Sequence, residues 1–214
     1  MRQNNRALSV SKRAKPPAWA LLSVLLLANL STAALAERTD YRRPDIQPPP
    51  ANNQTTEARV ALGRVLFFDP RLSGSNWISC ATCHNPAVGW ADGLATGIGH
   101  NMTTLSRASP TVLNTAYNKF QFWDGRVRSL EAQALEPIVS DTEMHQDMDE
   151  LIEELNAIEG YRPLFDAAYP GEGINASVIS RALAAYERTL LTTDAPFDLW
   201  VQGDEAALPV AAKR

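Results

Sequence analysis

One short motif, Cys80-Ala81-Thr82-Cys83-His84, constrains this chain more than any other feature. It contains the only two cysteines of the 214 residues, so a disulfide-rich scaffold is excluded. The spacing C-x-x-C-H is typical of covalent attachment of c-type haem, because two sulfurs so spaced reach both vinyl groups of one porphyrin and the next imidazole can bind the iron. The motif therefore predicts one haem c, attached through Cys80 and Cys83, with His84 as an iron ligand.

Two other interpretations of this motif are weaker. A thioredoxin-like redox disulfide is expected within a βαβ pattern, which the sequence lacks. A zinc site needs further ligands, and the only other histidines are His100 and His145.

The N-terminal segment has the pattern of an export signal. Five basic residues and no acidic one precede an apolar run from Ala18 to about Leu30, and a small-x-small site follows at residues 34–36. The run of about 13 residues is shorter than the ~20 that a membrane-spanning helix needs, which favours a cleaved signal over a retained anchor. We expect cleavage after about Ala36 and a periplasmic product without stable membrane insertion.

The composition describes an acidic globular chain. Loss of residues 1–36 removes five basic residues and no acidic ones, which takes the net charge from −4 to −9. This acidity argues against nucleic-acid binding. A hydrophobic fraction of 45% excludes a disordered chain, and the length is that of about one domain.

Hydrophobic periodicity predicts helices and no strand. The predicted helices begin at Thr55 or Thr56, at Ser129, at Asp147 or Asp149, and at Asn175. The first is expected to end at Asp69-Pro70 and the second near Leu135. Residues 71–118 read as one long loop, which is uncommon in a domain unless a cofactor or other element orders it. The expected fold class is all-α with long irregular loops.

Three further motifs surround the haem motif. They are residues 62–73 (LGRVLFFDPRLS), 109–114 (SPTVLN) and 122–126 (FWDGR). Together they resemble the N-terminal haem domain of the bacterial di-haem cytochrome c peroxidases, a family that includes MauG. The likeness runs from about Tyr41 to about Trp200. It implies a haem domain of the cytochrome c type that reduces hydrogen peroxide to water, with electrons from a small donor protein of the cytochrome c or cupredoxin type.

The resemblance also implies roles for four more residues. His100, in a glycine loop, matches a displaceable sixth iron ligand; MauG-type members generally lack it, which favours a peroxidase. Gln133 and Glu143 match the distal glutamine and glutamate, and a carboxylate over the iron can move a proton between the two peroxide oxygens. Trp123 matches an electron relay between two haems.

The sequence departs from the family pattern in two places. Ala108 stands where an asparagine of a calcium site is common, which argues against calcium. Full-length members carry a second haem domain with its own C-x-x-C-H. The expected organisation is a signal peptide over 1–36, a proline-rich arm over 37–55, a haem domain over 56–203, and a tail over 204–214 that would lead to the second domain.

The motifs thus favour a periplasmic cytochrome-c peroxidase, and two alternatives stay open. One is a mono-haem electron-transfer protein in which His84 and His100 are permanent ligands. The other is a MauG-like oxidase that modifies a partner protein. The oligomeric state also stays open, with a homodimer among the expected forms.

Overall fold

The computed structural model describes residues 41–43, 45 and 48–213. The predicted signal peptide lies outside them, as does part of the proline-rich arm. The described residues belong to two compact units, one containing 41–43 and 194–213 and the other containing 45 and 48–193. Among these residues, none of the helices combines the length and the apolar character needed to span a lipid bilayer.

The described chain is helical, and its only strand-like pairings are three isolated bridges, which confirms the all-α prediction. Its seven α-helices are α1 Glu57–Phe68, α2 Cys80–Cys83, α3 Leu130–Val139, α4 Met148–Ala157, α5 Tyr161–Ala168, α6 Ala176–Glu187 and α7 Pro196–Val201. The long loop of residues 71–118 holds only the single turn α2 and short 3₁₀ turns.

Side-chain caps start the helices at the expected residues. The Thr56 hydroxyl accepts from the N–H of Arg59, and the Asn175 side chain accepts from the N–H of Val178 at 3.0 Å. Ser129 and Asp147 cap α3 and α4 in the same way. Each cap satisfies an N–H group that has no partner inside its own helix.

Helix α3 ends four residues later than predicted, and α5 and α7 were not predicted. Pro137 lies inside α3, where its missing N–H removes one helical hydrogen bond, and the helix nevertheless continues to Val139. Helix α5 begins after Gly160 without a side-chain cap, so it has no start signal. Helix α7 does have one, because Pro196 stands in its first turn.

The core forms where α1 crosses α6. A Cβ atom on Gly63 would lie 1.9 Å from the carbonyl oxygen of Ala182, so only glycine allows the two backbones to approach this closely. The crossing buries apolar side chains of both helices: Leu62, Leu66, Phe67, Val178, Ile179 and Leu183. Each such side chain contributes about 1.5–3 kcal/mol when removed from water.

A buried carboxylate holds the chain as it leaves α1. Asp69 is 5% exposed, accepts from Arg71 Nε at 2.8 Å and accepts from the hydroxyl of Tyr161 on α5. Burial raises the pKa of Asp69, but the hydrogen bonds from Arg71 and Tyr161 outweigh it and the pKa is lowered overall. The start of the long loop is therefore fixed to the helical core by a charged group.

Candidate haem-binding site

A cavity of about 630 Å³ lies beside the C-x-x-C-H motif, within the unit that contains residues 48–193. Its wall includes six of the predicted site residues: Cys80, Cys83, His84, Trp123, Gln133 and Glu143. Sequence positions up to 63 residues apart, from Cys80 on α2 to Glu143 after α3, therefore meet at one space. His100 is not among the lining residues.

Both cysteines are free thiols. Burial, with a further contribution from Glu187, raises the pKa of Cys80 to about 12. Burial, with Asp92 and Glu143, also raises the pKa of Cys83. Among the described residues, no group of three or more His, Cys, Asp or Glu side chains is placed to hold a metal ion, so the structure does not support the zinc alternative.

His84 follows directly after α2 and is held by the loop on the opposite side of the motif. Its Nδ1–H donates to the carbonyl oxygen of Pro110 at 3.0 Å, which orients the ring. Burial lowers the pKa of His84, so the neutral ring predominates. A neutral imidazole oriented by a backbone carbonyl is the usual form of a metal-binding histidine.

These three residues fit a c-type haem. Two unpaired sulfurs and an oriented imidazole line one largely apolar cavity, and such a set supplies both covalent tethers and one iron ligand.

Gln133 and Glu143 lie on the wall formed by α3 and the turn after it. In the described part of the chain, neither side chain makes a hydrogen bond, so both amide and carboxylate are available to a small ligand in the cavity. Burial raises the pKa of Glu143, while Arg126 opposes this and Glu136 adds to it. The carboxyl group is thus a stronger base than an exposed glutamate, as proton transfer near neutral pH requires.

Trp123 lies at the rim of the cavity. Its side chain is 65% exposed, and its Nε1–H donates to the carbonyl oxygen of Ala108 at 2.9 Å. The adjacent Asp124 pairs with both Arg107 and Arg126. The indole is therefore held by a hydrogen bond while most of the residue remains exposed to solvent.

His100 contacts the Glu143 segment rather than the cavity. Its backbone N–H donates to the carbonyl oxygens of Thr142 at 3.0 Å and Glu143 at 2.8 Å. A Cβ on Gly99 would lie 2.0 Å from the Thr142 oxygen, so this approach requires glycine. The His100 ring stacks on His145, and its buried Nδ1 has no hydrogen-bond partner among the described residues. Iron ligation by His100 stays a prediction.

Two cavity residues were not identified from the sequence. Pro110 binds His84 across 26 residues, and no local pattern indicates such a contact. Glu187 ends α6 and lines the cavity. Its position four residues after Leu183, on an apolar helix face, was a usable signal.

Comparisons with known proteins agree on one family. The sequence profile described as di-haem cytochrome c peroxidase matches residues 57–206. MauG, a methylamine utilization protein of Methylorubrum extorquens, is 50% identical over 85% of this chain and 51% of its own length. The cytochrome c551 peroxidase of Pseudomonas aeruginosa is 45% identical over 74% of this chain and 46% of its own.

A solved structure gives the same result. A MauG-like protein associated with microbial copper homeostasis superposes with a TM-score of 0.72 at 30% identity, over 81% of this chain and 52% of its own. The chain thus spans about half the length of the relatives it matches. The prediction of a cytochrome c-like haem domain is confirmed, and the chain belongs to the di-haem cytochrome c peroxidase family, whose cofactor is c-type haem.

Proposed function

We propose that this chain is the peroxidatic haem domain of an exported cytochrome-c peroxidase, with one haem c attached to Cys80 and Cys83. The observation that carries the proposal is the single cavity, because the tether residues and His84 share it with Gln133 and Glu143. The similarity to named cytochrome c peroxidases supports the same reaction.

Haem bound there would supply the redox-active iron at which hydrogen peroxide is reduced. The reaction consumes two electrons and two protons for each peroxide and yields two molecules of water. Glu143 accepts the proton of one peroxide oxygen and returns it to the other, so that water leaves instead of hydroxide. Gln133 donates its amide N–H to the peroxide and orients it, and His84 would bind the iron.

Electrons come from a small donor protein. Trp123 is exposed to solvent and also lines the cavity, so its indole can pass an electron from a donor at the surface to the cavity. The net charge of −9 that follows signal cleavage suits a basic donor, since complementary charge speeds the encounter. A second haem domain, periplasmic localisation and a homodimer belong to this proposal for the full-length protein.

The test is to produce the chain in a host that attaches haem c, and to measure covalent haem and peroxide consumption. A small chemical reductant, used beside a reduced cytochrome c, makes the result independent of a second haem. We expect one haem per chain, and none in the Cys80→Ser/Cys83→Ser variant. A six-coordinate haem in both redox states without peroxide consumption would instead support the mono-haem electron carrier.

A MauG-like oxidase is the second candidate, and two observations favour it. The MauG of Methylorubrum extorquens is 50% identical to this chain, and His100 does not line the cavity. Such an enzyme would use peroxide to oxidise side chains of a partner protein. Mass spectrometry of the proteins co-produced with it, with and without peroxide, separates this activity from turnover of a reduced cytochrome.

A further inference from the structure

Glu187 is a buried acid on the wall of the haem cavity that the proposed reaction does not use. It is the last residue of α6, is 6% exposed, and lines the cavity. Leu183, four residues earlier, lines it as well, so the two side chains occupy the same face of the helix. The carboxyl group is therefore directed at the space that the haem fills.

In the described part of the chain, no cation forms a salt bridge with this carboxyl group. Its neighbour Arg188 forms a salt bridge with Glu131, with 2.7 Å between Arg188 Nη2 and Glu131 Oε1. The same Oε1 also accepts from Asn53 Nδ2 at 2.7 Å, while Arg188 Nη1 and Glu131 Oε2 have no hydrogen-bond partner in the residues that the structure describes. Among the described residues, Glu187 makes no side-chain hydrogen bond and no ion pair. A buried charge without a partner is costly, so the neutral acid is the stable form.

The electrostatic surroundings agree with this geometry. Burial raises the pKa of Glu187 to about 8; Arg188 opposes the shift and Glu131 on α3 adds to it. The charge of Glu187 in turn contributes to the raised pKa of Cys80, which lies on α2. Glu187 therefore lies close enough to Cys80, a predicted haem tether, for their charges to interact, and both residues line the cavity.

We infer that Glu187 binds and releases a proton in step with the redox state of the haem. When one electron from the donor protein reduces ferric haem to ferrous haem, one proton from solvent binds the Glu187 carboxylate; when the haem is reoxidised, that proton leaves. The cause is electrostatic, because the extra positive charge of the oxidised haem favours the carboxylate and its loss favours the acid. The inference rests on the haem of the proposed function and adds a proton site to it.

The experiment is redox potentiometry of the haem-loaded chain at a series of pH values on both sides of about 8. We expect the midpoint potential of the native protein to fall as pH rises through this range, since carboxylate formation stabilises the oxidised haem. In Glu187→Gln, which stays neutral, the potential should lose this part of its slope and match the native value at low pH. Glu150→Gln, which removes an exposed acid of α4, should leave the slope unchanged.

An equal slope in the native protein and in Glu187→Gln would overturn the inference. If that variant fails to fold, infrared difference spectra of the native protein decide, because protonation on reduction must produce a carboxylic acid C=O band; its absence would overturn the inference. Covalent haem content and peroxide consumption are measured separately. A chain without covalent haem fails the proposed function, whereas a haem-loaded chain with a pH-independent potential fails only this inference.

Discussion

The rings of His100 and His145 stack on each other, with centroids 4.4 Å apart and planes inclined by 28°. The residue that the family resemblance assigns to the sixth iron position is therefore packed against another side chain outside the cavity lining. Such a ring contact is worth about 0.5–1.5 kcal/mol. His145 thus favours the position of His100 outside the cavity lining.

The His145→Ala variant should increase the fraction of six-coordinate haem. Loss of the stacking energy would shift the equilibrium toward iron ligation by roughly 2- to 12-fold. Absorption and electron paramagnetic resonance spectra report the coordination state. His100→Ala should abolish the six-coordinate species, and the double variant should match His100→Ala. If His145→Ala raises that species even without His100, another residue is the ligand.

Replacement of Glu143 by Gln should slow peroxide consumption by about 10²- to 10⁴-fold, the usual contribution of a positioned acid–base group. Haem content should be unchanged, because Glu143 is not a tether. In the native protein, the base is active when ionised, so the rate should fall as pH decreases through its raised pKa, above the ordinary value of 4.5. Glu150→Gln is the control. A full rate in Glu143→Gln would remove this residue from the mechanism.

Gly63→Ala should destabilise the fold by about 2–3 kcal/mol, because the new Cβ would overlap the Ala182 carbonyl and force α1 away from α6. Chemical denaturation measures the free energy of unfolding. Gly160→Ala is the matched control, since nothing lies within 4 Å of its Cβ position, and it should change stability by about 0.5 kcal/mol or less. Equal losses in both variants would contradict the close helix crossing.

Tyr161→Phe should cost about 1.5–3 kcal/mol at neutral pH, because it removes a hydrogen bond to the ionised Asp69. Asp69 has a lower pKa in the folded chain than its ordinary 3.8, so its stabilising contribution is complete above that value and is lost as pH falls through the lowered folded pKa. The stability difference between native protein and variant should shrink over the same range. Tyr117→Phe, whose hydroxyl makes no hydrogen bond among the described residues, is the control.

Local signals in the sequence predicted most helix starts, and a local motif predicted the haem-attachment residues. Thr56 and Asn175 cap their helices by contacts three residues away, which any reader of the sequence can anticipate. Helix α5 was missed because Gly160 gives no cap and the helix is stabilised by tertiary burial of Tyr161 and Phe165. Packing between distant segments, not local propensity, determines such an element.

The candidate site also combines residues that a local sequence pattern indicates with residues that depend on tertiary packing. The spacing of Cys80, Cys83 and His84 within five residues is enough to predict haem attachment. The position of Glu187 on the apolar face of α6 could have been inferred from its spacing to Leu183, whereas the bond from His84 to Pro110 spans 26 residues and no local pattern records it. The same holds for His100, whose glycine loop indicated mobility but not the surface on which it rests.

The two hydrogen bonds from the His100 N–H to the carbonyl oxygens of Thr142 and Glu143 tie the glycine loop to the backbone of Glu143, the residue proposed as the base. If ligation by His100 required its loop backbone to move, these bonds would break and the backbone of Glu143 would be released. A molecule with the sixth position filled would then also have a misaligned base. Access to the metal and proton transfer would be switched on together, by one displacement.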